Sequence, residues 1–134
     1  MTAKIFIDSN IVIYAESADG EKSAKALALI EGSPVISTQV INESISVLVR
    51  KYSFSLPDAC EVAESVMSLC EVLPVDVAVV NEAMRLGKSY SLSHWDALII
   101  AAALLAGCDT LYSEDLQHGQ IFGGSLRVVN PFVL

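Results

Sequence analysis

The sequence predicts an α/β fold with a mainly parallel central sheet of about five strands and helices on both faces. Short apolar runs rich in β-forming residues alternate with longer segments whose apolar residues recur at helical spacing. Such alternation favours parallel strands joined by right-handed helical crossovers. The length of 134 residues suits one domain, and no linker, internal repeat or low-complexity segment divides residues 1–134.

The predicted elements follow one another regularly along the chain. The predicted strands are residues 4–7, 35–37, 72–75, 110–112 and 126–129. The predicted helices are residues 11–15, 21–31, 38–52, 56–70, 76–87 and 93–107, with the apolar face of the second on Ala24, Leu27 and Ala28. Pro74 lies in the third strand and lacks a backbone N–H, so we expect that strand at an edge of the sheet.

Composition limits the classes of function. The chain has 16 acidic and 8 basic residues, so bulk charge gives it no affinity for nucleic acid, and a phosphate-bearing substrate would need a cation. The hydrophobic content of 53% is high for a small soluble monomer. It indicates either apolar surface covered by a partner or second copy, or a core rich in alanine.

Cysteines and apolar runs indicate a cytoplasmic protein. Cys60 and Cys70 lie on one predicted helix, about 15 Å apart along its axis, which is too far for a disulfide. With Cys108 they are interpreted as reduced core residues. The start of the chain lacks the pattern of a signal peptide. The longest apolar run, residues 97–106, is shorter than the roughly 18 residues of a membrane span.

Four carboxylates from distant parts of the chain are predicted to meet at one edge of the sheet. Ligands of such folds bind beyond the carboxyl ends of the strands. Asp8 follows the first strand, Glu43 lies about one turn into the helix after the second, and Asp115 follows the fourth. Asp96 begins a helix that must run back across the sheet, so the amino end of that helix meets the same edge.

Each acid also has an ordinary structural interpretation. Carboxylates near helix amino ends are favoured by about 0.3 to 1 kcal/mol; Asp8 could be a cap, and Asp96 stands three residues after Ser93 as in a capping box. Asp76 and Glu114 should reach the same edge, so topology alone does not select one set. However, two carboxylates about 4 Å apart repel by roughly 4 kcal/mol at an effective dielectric of about 20. A cluster of acids therefore favours a divalent cation, and oxygen-only ligands favour Mg²⁺ or Mn²⁺.

Other motifs give weaker signals. His94 and His118 lack zinc-site spacing with any cysteine pair, and the sequence contains no GxSxG, P-loop or GxGxxG motif. Trp95 is interpreted as a core or interface residue rather than a stacking platform. The best candidates for phosphate contacts are Arg50, Lys51, Arg85 and Lys88.

Three segments, in this order, resemble a known family: FIDSNIVIYA, STQVINE and SHWDALIIAAALLAGCDTLYSEDLQHGQ. The chain resembles PIN domains, specifically the VapC-type ribonuclease toxins of prokaryotic toxin–antitoxin pairs, over nearly its whole length. The last segment is the most specific of the three. The resemblance implies a single PIN-like domain over residues 1–134.

The resemblance also implies a catalytic and metal-binding site. Its acids match Asp8, Glu43, Asp96 and Asp115. In this family Mg²⁺ or Mn²⁺ polarises the scissile phosphate and lowers the pKa of the attacking water. Asp8 and Asp96 are expected as direct ligands, and Glu43 directly or through water. Accessory roles are assigned to Ser113, Asn10 and Glu114, and Glu114 competes with Asp115 for one place.

The implied function is that of a metal-dependent endoribonuclease that hydrolyses RNA phosphodiester bonds as the toxin of a type II toxin–antitoxin system. Its implied partners are RNA, a cognate antitoxin and a second copy of the chain. The strong acidity departs from an ideal nuclease and predicts few phosphate contacts.

One alternative is a non-catalytic PIN-like protein-binding module whose acids are helix caps. Another is a metal-dependent phosphatase, since Asp8 and Asn10 resemble the start of a haloacid-dehalogenase-like motif, which would have Asp at position 10.

Overall fold

The computed structural model describes residues 3–133. Its strands are β1 (Ile5–Ile7), β2 (Val35–Ser37), β3 (Glu71–Leu73), β4 (Thr110–Tyr112), β5 (Ile121–Phe122) and β6 (Leu126–Val129). Its helices are α1 (Ser9–Ala15), α2 (Gly20–Glu31), α3 (Thr38–Lys51), α4 (Leu56–Leu69), α5 (Val77–Tyr90) and α6 (His94–Leu105). Of the residues assigned to the predicted domain, Met1, Thr2 and Leu134 lie outside the described part.

The strands form one sheet in the order β3-β2-β1-β4-β6-β5. All neighbouring pairs are parallel except β5 and β6, which are antiparallel. In the centre, Phe6 of β1 lies opposite Val35 on one side and Leu111 on the other. The predicted mainly parallel sheet with flanking helices is therefore confirmed, and β3 lies at an edge, as Pro74 predicted.

Helix α6 is the buried centre of the helical layers. Every residue from 97 to 103 is buried, so this helix is apolar all round rather than on one face. It packs against α5 and against β2. Ile100 is fully buried, and complete burial of such a side chain stabilises a fold by about 1.5–3 kcal/mol.

Three local predictions were wrong. The antiparallel strand β5 was not predicted; it is only two residues long, and Gly123 and Gly124 supply the positive φ of 58° and 73° in the turn before β6. Helix α5 continues past Gly87 to Tyr90 and ends at Ser91 in the left-handed conformation.

The apolar face of α2 also differs from the prediction. The structure buries Ala26 and Ile30, whereas Ala24, Leu27 and Ala28 are exposed. Because α2 contacts both α1 and α4, its buried side is set by those neighbours. Leu27 instead borders a surface groove.

Across the described helices, none has both the length and the apolar character that a membrane crossing requires. The three cysteines are free thiols, and Cys108 is buried.

Candidate active site

Asp8 is a buried carboxylate between β1 and α1. It is only 7% exposed. Its Oδ1 accepts a hydrogen bond of 2.7 Å from the backbone N–H of Ser9, so Asp8 caps α1. Burial raises its pKa to about 6, hydrogen bonds from Ser113 and Ser9 oppose the shift, and the charges of Asp115 and Asp96 add to it. The protein therefore holds a dehydrated carboxylate close to other acids.

Ser113 ties Asp8 to the loop after β4. Its buried hydroxyl donates to Oδ2 of Asp8 at 2.9 Å. The same oxygen lies 3.2 Å from the backbone nitrogen of Asp115 and 3.4 Å from that of Leu116. Both oxygens of Asp8 are thus oriented by donors, and the turn that carries Asp115 is fixed against Asp8.

Asn10 is a second link between α1 and this loop. Its Nδ2 donates to Oδ2 of Asp115 at 3.2 Å, and its Oδ1 accepts from the backbone nitrogen of Glu114 at 3.1 Å. Asp115 itself is exposed. Asn10 and Ser113 therefore contact the predicted acids Asp115 and Asp8.

Glu114 is held by two residues that sequence reasoning did not single out. Its Oε1 accepts a hydrogen bond of 2.7 Å from the Tyr14 hydroxyl, and its Oε2 lies 3.5 Å from Nζ of Lys22. The hydrogen bond to Glu114 is the main cause of the raised pKa of Tyr14. The Lys22 ammonium lies 4.6 Å from the centre of the Tyr14 ring. No local sequence signal links these residues, because Glu114 is 100 and 92 positions away from them.

Glu43 and Asp96 complete the predicted set from α3 and α6. Both are half-buried, and Oε1 of Glu43 is buried without a hydrogen-bond partner in the described structure. Burial and then the charge of Asp8 raise the pKa of Glu43, while the polar side chain of Gln39 opposes the shift. Asp96 and Asp115 raise it further. Asp96 also donates its backbone N–H to Oγ of Ser93 at 3.1 Å, which is the predicted cap of α6.

The four predicted acids, here called the acid set, therefore meet at one edge of the sheet, where the charges of Asp96 and Asp115 act on both Asp8 and Glu43. Within residues 3–133, however, no group of three or more His, Cys, Asp or Glu side chains is positioned to hold a metal ion. Like charges without a counter-cation repel, and this repulsion adds to the effect of burial in raising the pKa of Asp8 and of Glu43. Asp76 instead caps α5, accepting from the N–H of Val79 at 3.1 Å.

The chemistry of the donors fits a hard divalent cation. All four side chains offer oxygen, as Mg²⁺ and Mn²⁺ prefer. The three ion pairs among residues 3–133 are Lys4–Glu71, Lys22–Glu114 and Arg85–Glu82. None of them neutralises the acid set, and the unpartnered oxygen of Glu43 has no protein donor. A cation would offset both the mutual repulsion and this unmet polar atom.

The model of the PIN domain family matches residues 5–121 of the chain. No curated protein sequence matches this chain.

Solved structures share the fold at low sequence identity. A toxin–antitoxin complex from Klebsiella pneumoniae is 22% identical, with a TM-score of 0.71 over 97% of this chain and 98% of that chain. VapC20 from Mycobacterium tuberculosis, described as a sarcin–ricin loop cleaving toxin, is 19% identical. The TM-score is 0.68, over 84% of this chain and 90% of that chain. DNA-bound VapBC from Salmonella typhimurium is 17% identical, with a TM-score of 0.71 over 95% of this chain and 97% of that chain. These likenesses establish the common fold.

Proposed function

The chain belongs to the PIN domain family, and from this membership we propose that it is a metal-dependent endoribonuclease and the toxin of a type II toxin–antitoxin pair. One observation carries the proposal: four acids from distant parts of the chain meet at the carboxyl edge of a parallel sheet, where the charges of Asp96 and Asp115 add to the effect of burial in raising the pKa of Asp8 and of Glu43. In such folds this edge is the usual position of the ligand. The structural neighbours described as toxins and toxin–antitoxin complexes support the same assignment.

The cofactor we propose is Mg²⁺ or Mn²⁺. Asp8 and Asp96 would bind it directly, Glu43 directly or through water, and Asp115 would complete the set. Bound there, the cation would supply Lewis-acid polarisation of the scissile phosphate and a lowered pKa for water. The oxygen-only donor set and the unpartnered Oε1 of Glu43 support this choice.

The protein's own contribution is to orient the carboxylates before substrate arrives. Ser9 and Ser113 each hold one oxygen of Asp8, and Asn10 holds one oxygen of Asp115. Groups that orient metal ligands are typically worth about 10- to 100-fold in metal affinity or activity. Because these contacts form during folding, Asp8 and Asp115 are oriented before RNA binds.

The decisive experiment is RNA cleavage by the purified protein. We expect cleavage with Mg²⁺ or Mn²⁺, loss of cleavage in chelator, and loss in Asp8→Asn and Asp96→Asn. Asp76→Asn is the matched control, because Asp76 caps α5 outside the acid set. Cleavage should persist on RNA with blocked 2′-hydroxyls, since a water nucleophile does not need them. Cleavage that continues undiminished in chelator would exclude the metal mechanism.

The antitoxin site we propose is an apolar groove of about 410 Å³ between α1, α2 and α4. Its apolar lining is Val12, Ala15, Leu27, Ile30, Phe54, Val62, Val66 and Leu69. Glu16, Asp58 and Glu61 border it. This combination suits a partner segment whose apolar face is flanked by Lys or Arg.

The antitoxin proposal is tested by measuring how tightly this chain binds the protein that the neighbouring reading frame encodes. Leu27→Ser and Leu69→Ser should weaken its binding, because these side chains are 44% and 46% exposed in the groove. Met84→Ser is the matched control, with 47% exposure on α5. Equal binding by all three variants would contradict this site.

A homodimer is the assembly we propose. The motivation is the apolar surface outside the groove, of which Val77, at 75% exposure, is an example. Sedimentation of the purified chain measures it directly. A monomer across the micromolar range would contradict the proposal.

A non-catalytic protein-binding module is the second candidate. It is favoured by the capping role of Asp8 and by the absence, within residues 3–133, of three or more acids grouped closely enough to hold a metal ion. It predicts that Mg²⁺ leaves the melting temperature unchanged. A rise with Mg²⁺ that Asp96→Asn removes would exclude it.

A further inference from the structure

A groove leads away from the acid set between α3 and the amino end of α6. Its volume is about 650 Å³, and we call it the α3 groove. One wall is a polar face of α3, made of Gln39, Asn42, Glu43, Ser46 and Arg50. Residues at this spacing share one side of a helix, and the rise from Gln39 to Arg50 is about 16 Å. Ser9 and Asp115 also line the groove, so it is continuous with the edge of the sheet where the four acids lie.

Trp95 lines the α3 groove from α6. It is the only tryptophan of the chain, and 67% of it is exposed. This exposure contradicts a core position, which was one of the two interpretations made from the sequence. The Trp95 carbonyl accepts a hydrogen bond of 3.1 Å from Nε2 of Gln39, which ties this wall to α3. A broad aromatic ring is thus held beside the edge where the four acids lie, with most of its surface in solvent.

Gln39 offers an unused hydrogen-bond acceptor at the same place. Its amide nitrogen is committed to the Trp95 carbonyl, which sets the orientation of the amide group. Its Oε1 is buried and has no hydrogen-bond partner in the described structure. A buried acceptor without a donor is unfavourable, so a hydrogen bond from a ligand to this oxygen would be favourable.

Arg50 places a positive charge toward the other end of the groove. Its Nε donates to Oγ of Ser46 at 3.0 Å, so the side chain lies along the polar face of α3. Among the ion pairs of residues 3–133, none includes Arg50. Its remaining guanidinium N–H groups are available to a phosphate.

We propose that the α3 groove binds the single-stranded RNA nucleotides next to the scissile phosphodiester, with a nucleobase stacked on Trp95 and a phosphate on Arg50. A base or ribose donor would meet Oε1 of Gln39. The proposal rests on the ribonuclease function proposed above. It adds a substrate subsite formed by Trp95, Gln39 and Arg50.

The charge of the protein favours a single strand over a duplex. With a net charge of −8 and one Arg in the α3 groove, phosphate neutralisation contributes little to affinity. Affinity must therefore come mainly from stacking and hydrogen bonds. Bases in a duplex are stacked on one another and cannot reach Trp95, whereas unpaired bases stack readily on an aromatic ring.

The first test uses the fluorescence of Trp95, which needs no label because no other tryptophan is present. The intact protein is titrated with a short single-stranded RNA of mixed sequence, and with the same RNA annealed to its complement. Ca²⁺ serves as the counter-cation, and a gel checks that the RNA remains intact. We expect saturable quenching by the single strand and little by the duplex.

The second test uses variants and the anisotropy of labelled RNA. Trp95→Ala should weaken binding about 5- to 150-fold, and Trp95→Phe should restore much of it. Leu105→Ala is the control, since Leu105 lies at the other end of α6 with 54% exposure. Arg50→Gln should reduce the slope of log affinity against log salt by about 0.7. Arg85→Gln should leave that slope unchanged, because Arg85 pairs with Glu82.

The outcomes separate this subsite from the nuclease function. Wild-type fluorescence that RNA does not quench, or an equal loss in Leu105→Ala, overturns the subsite. So does quenching by the antitoxin alone, or a dimer that Trp95→Ala dissociates, because either assigns Trp95 to a protein interface. Metal-dependent cleavage that does not depend on Trp95 overturns the subsite but leaves the nuclease. Quenching by RNA without cleavage in Mg²⁺ or Mn²⁺ overturns the nuclease function but leaves the subsite.

Discussion

The Tyr14 hydroxyl donates a hydrogen bond of 2.7 Å to Oε1 of Glu114 and holds this carboxylate against α1 and Lys22. The next residue, Asp115, instead contacts Asn10. Asp115, and not Glu114, is among the principal charges that raise the pKa of Asp8 and Glu43. Two adjacent acids that the sequence could not separate therefore have different surroundings.

This difference predicts opposite results for the two acids. Asp115→Asn should lower metal-dependent RNA cleavage by at least about 10-fold, because it removes one charge of the acid set. Glu114→Gln should cleave at close to the wild-type rate, since Gln can still accept from the Tyr14 hydroxyl. Steady-state cleavage at saturating Mn²⁺ measures both. The reverse order of activities would assign the place in the site to Glu114.

Metal binding should stabilise the fold. At a Mg²⁺ concentration of about 100 times its Kd, the free energy of unfolding should rise by about 2.7 kcal/mol. Thermal unfolding with and without Mg²⁺ measures the change as a shift of several degrees in Tm. Asp96→Asn should remove the shift and Asp76→Asn should retain it. Equal shifts in both variants would show that the cation binds elsewhere.

Ser113→Ala should affect both stability and metal binding. It removes the donor to Asp8 and the acceptor that faces two backbone N–H groups. Loss of buried hydrogen bonds costs about 1–3 kcal/mol, which urea unfolding would measure. Calorimetric titration with Mn²⁺ should show about 10- to 100-fold weaker binding. Unchanged affinity in a folded variant would mean that Ser113 is only structural.

The stability of the metal-free protein should depend on pH through Asp8. Burial raises its folded-state pKa from 3.8 to about 6, so between these values the folded state holds a proton that the unfolded state lacks. The associated stability is therefore complete below pH 4 and is lost as the pH rises through 6. The difference corresponds to about 3 kcal/mol.

Urea unfolding of the metal-free wild type and Asp8→Asn across this range isolates the effect. The wild type should lose stability relative to the variant, which cannot titrate at position 8. Mg²⁺ should reduce the loss, because it favours the charged carboxylate. Parallel pH profiles for the two proteins would contradict the raised pKa.

The sequence predicted the parts of the fold that depend on regular patterns. The apolar runs around Phe6 and Leu111 became central parallel strands, and Pro74 correctly indicated an edge. The strand at Ile121 and Phe122 was too short to show a period. The buried face of α2 depends on packing against α1 and α4, which residue spacing alone does not define.

The acid set shows the same division between pattern and tertiary contact. The parallel direction of the strands was enough to predict that Asp8 and Asp115 would lie at the same edge of the sheet. Only the structure shows that the strands before them, β1 and β4, are neighbours. Strand direction could not separate Glu114 from Asp115. That distinction depends on Tyr14 and Lys22, which reach Glu114 only after the chain has folded.

The two outermost strands affect how the protein meets other molecules. The edge strand β3 has three residues and is followed by Pro74, and the opposite edge, β5, has two residues. Unpaired backbone groups on a sheet edge are templates for aggregation, and short strands, charge and proline limit this risk. Partners are therefore expected to bind the helices, and the sheet offers little length for strand addition. The short edge strands therefore limit the risk of aggregation in a chain whose helices expose apolar side chains.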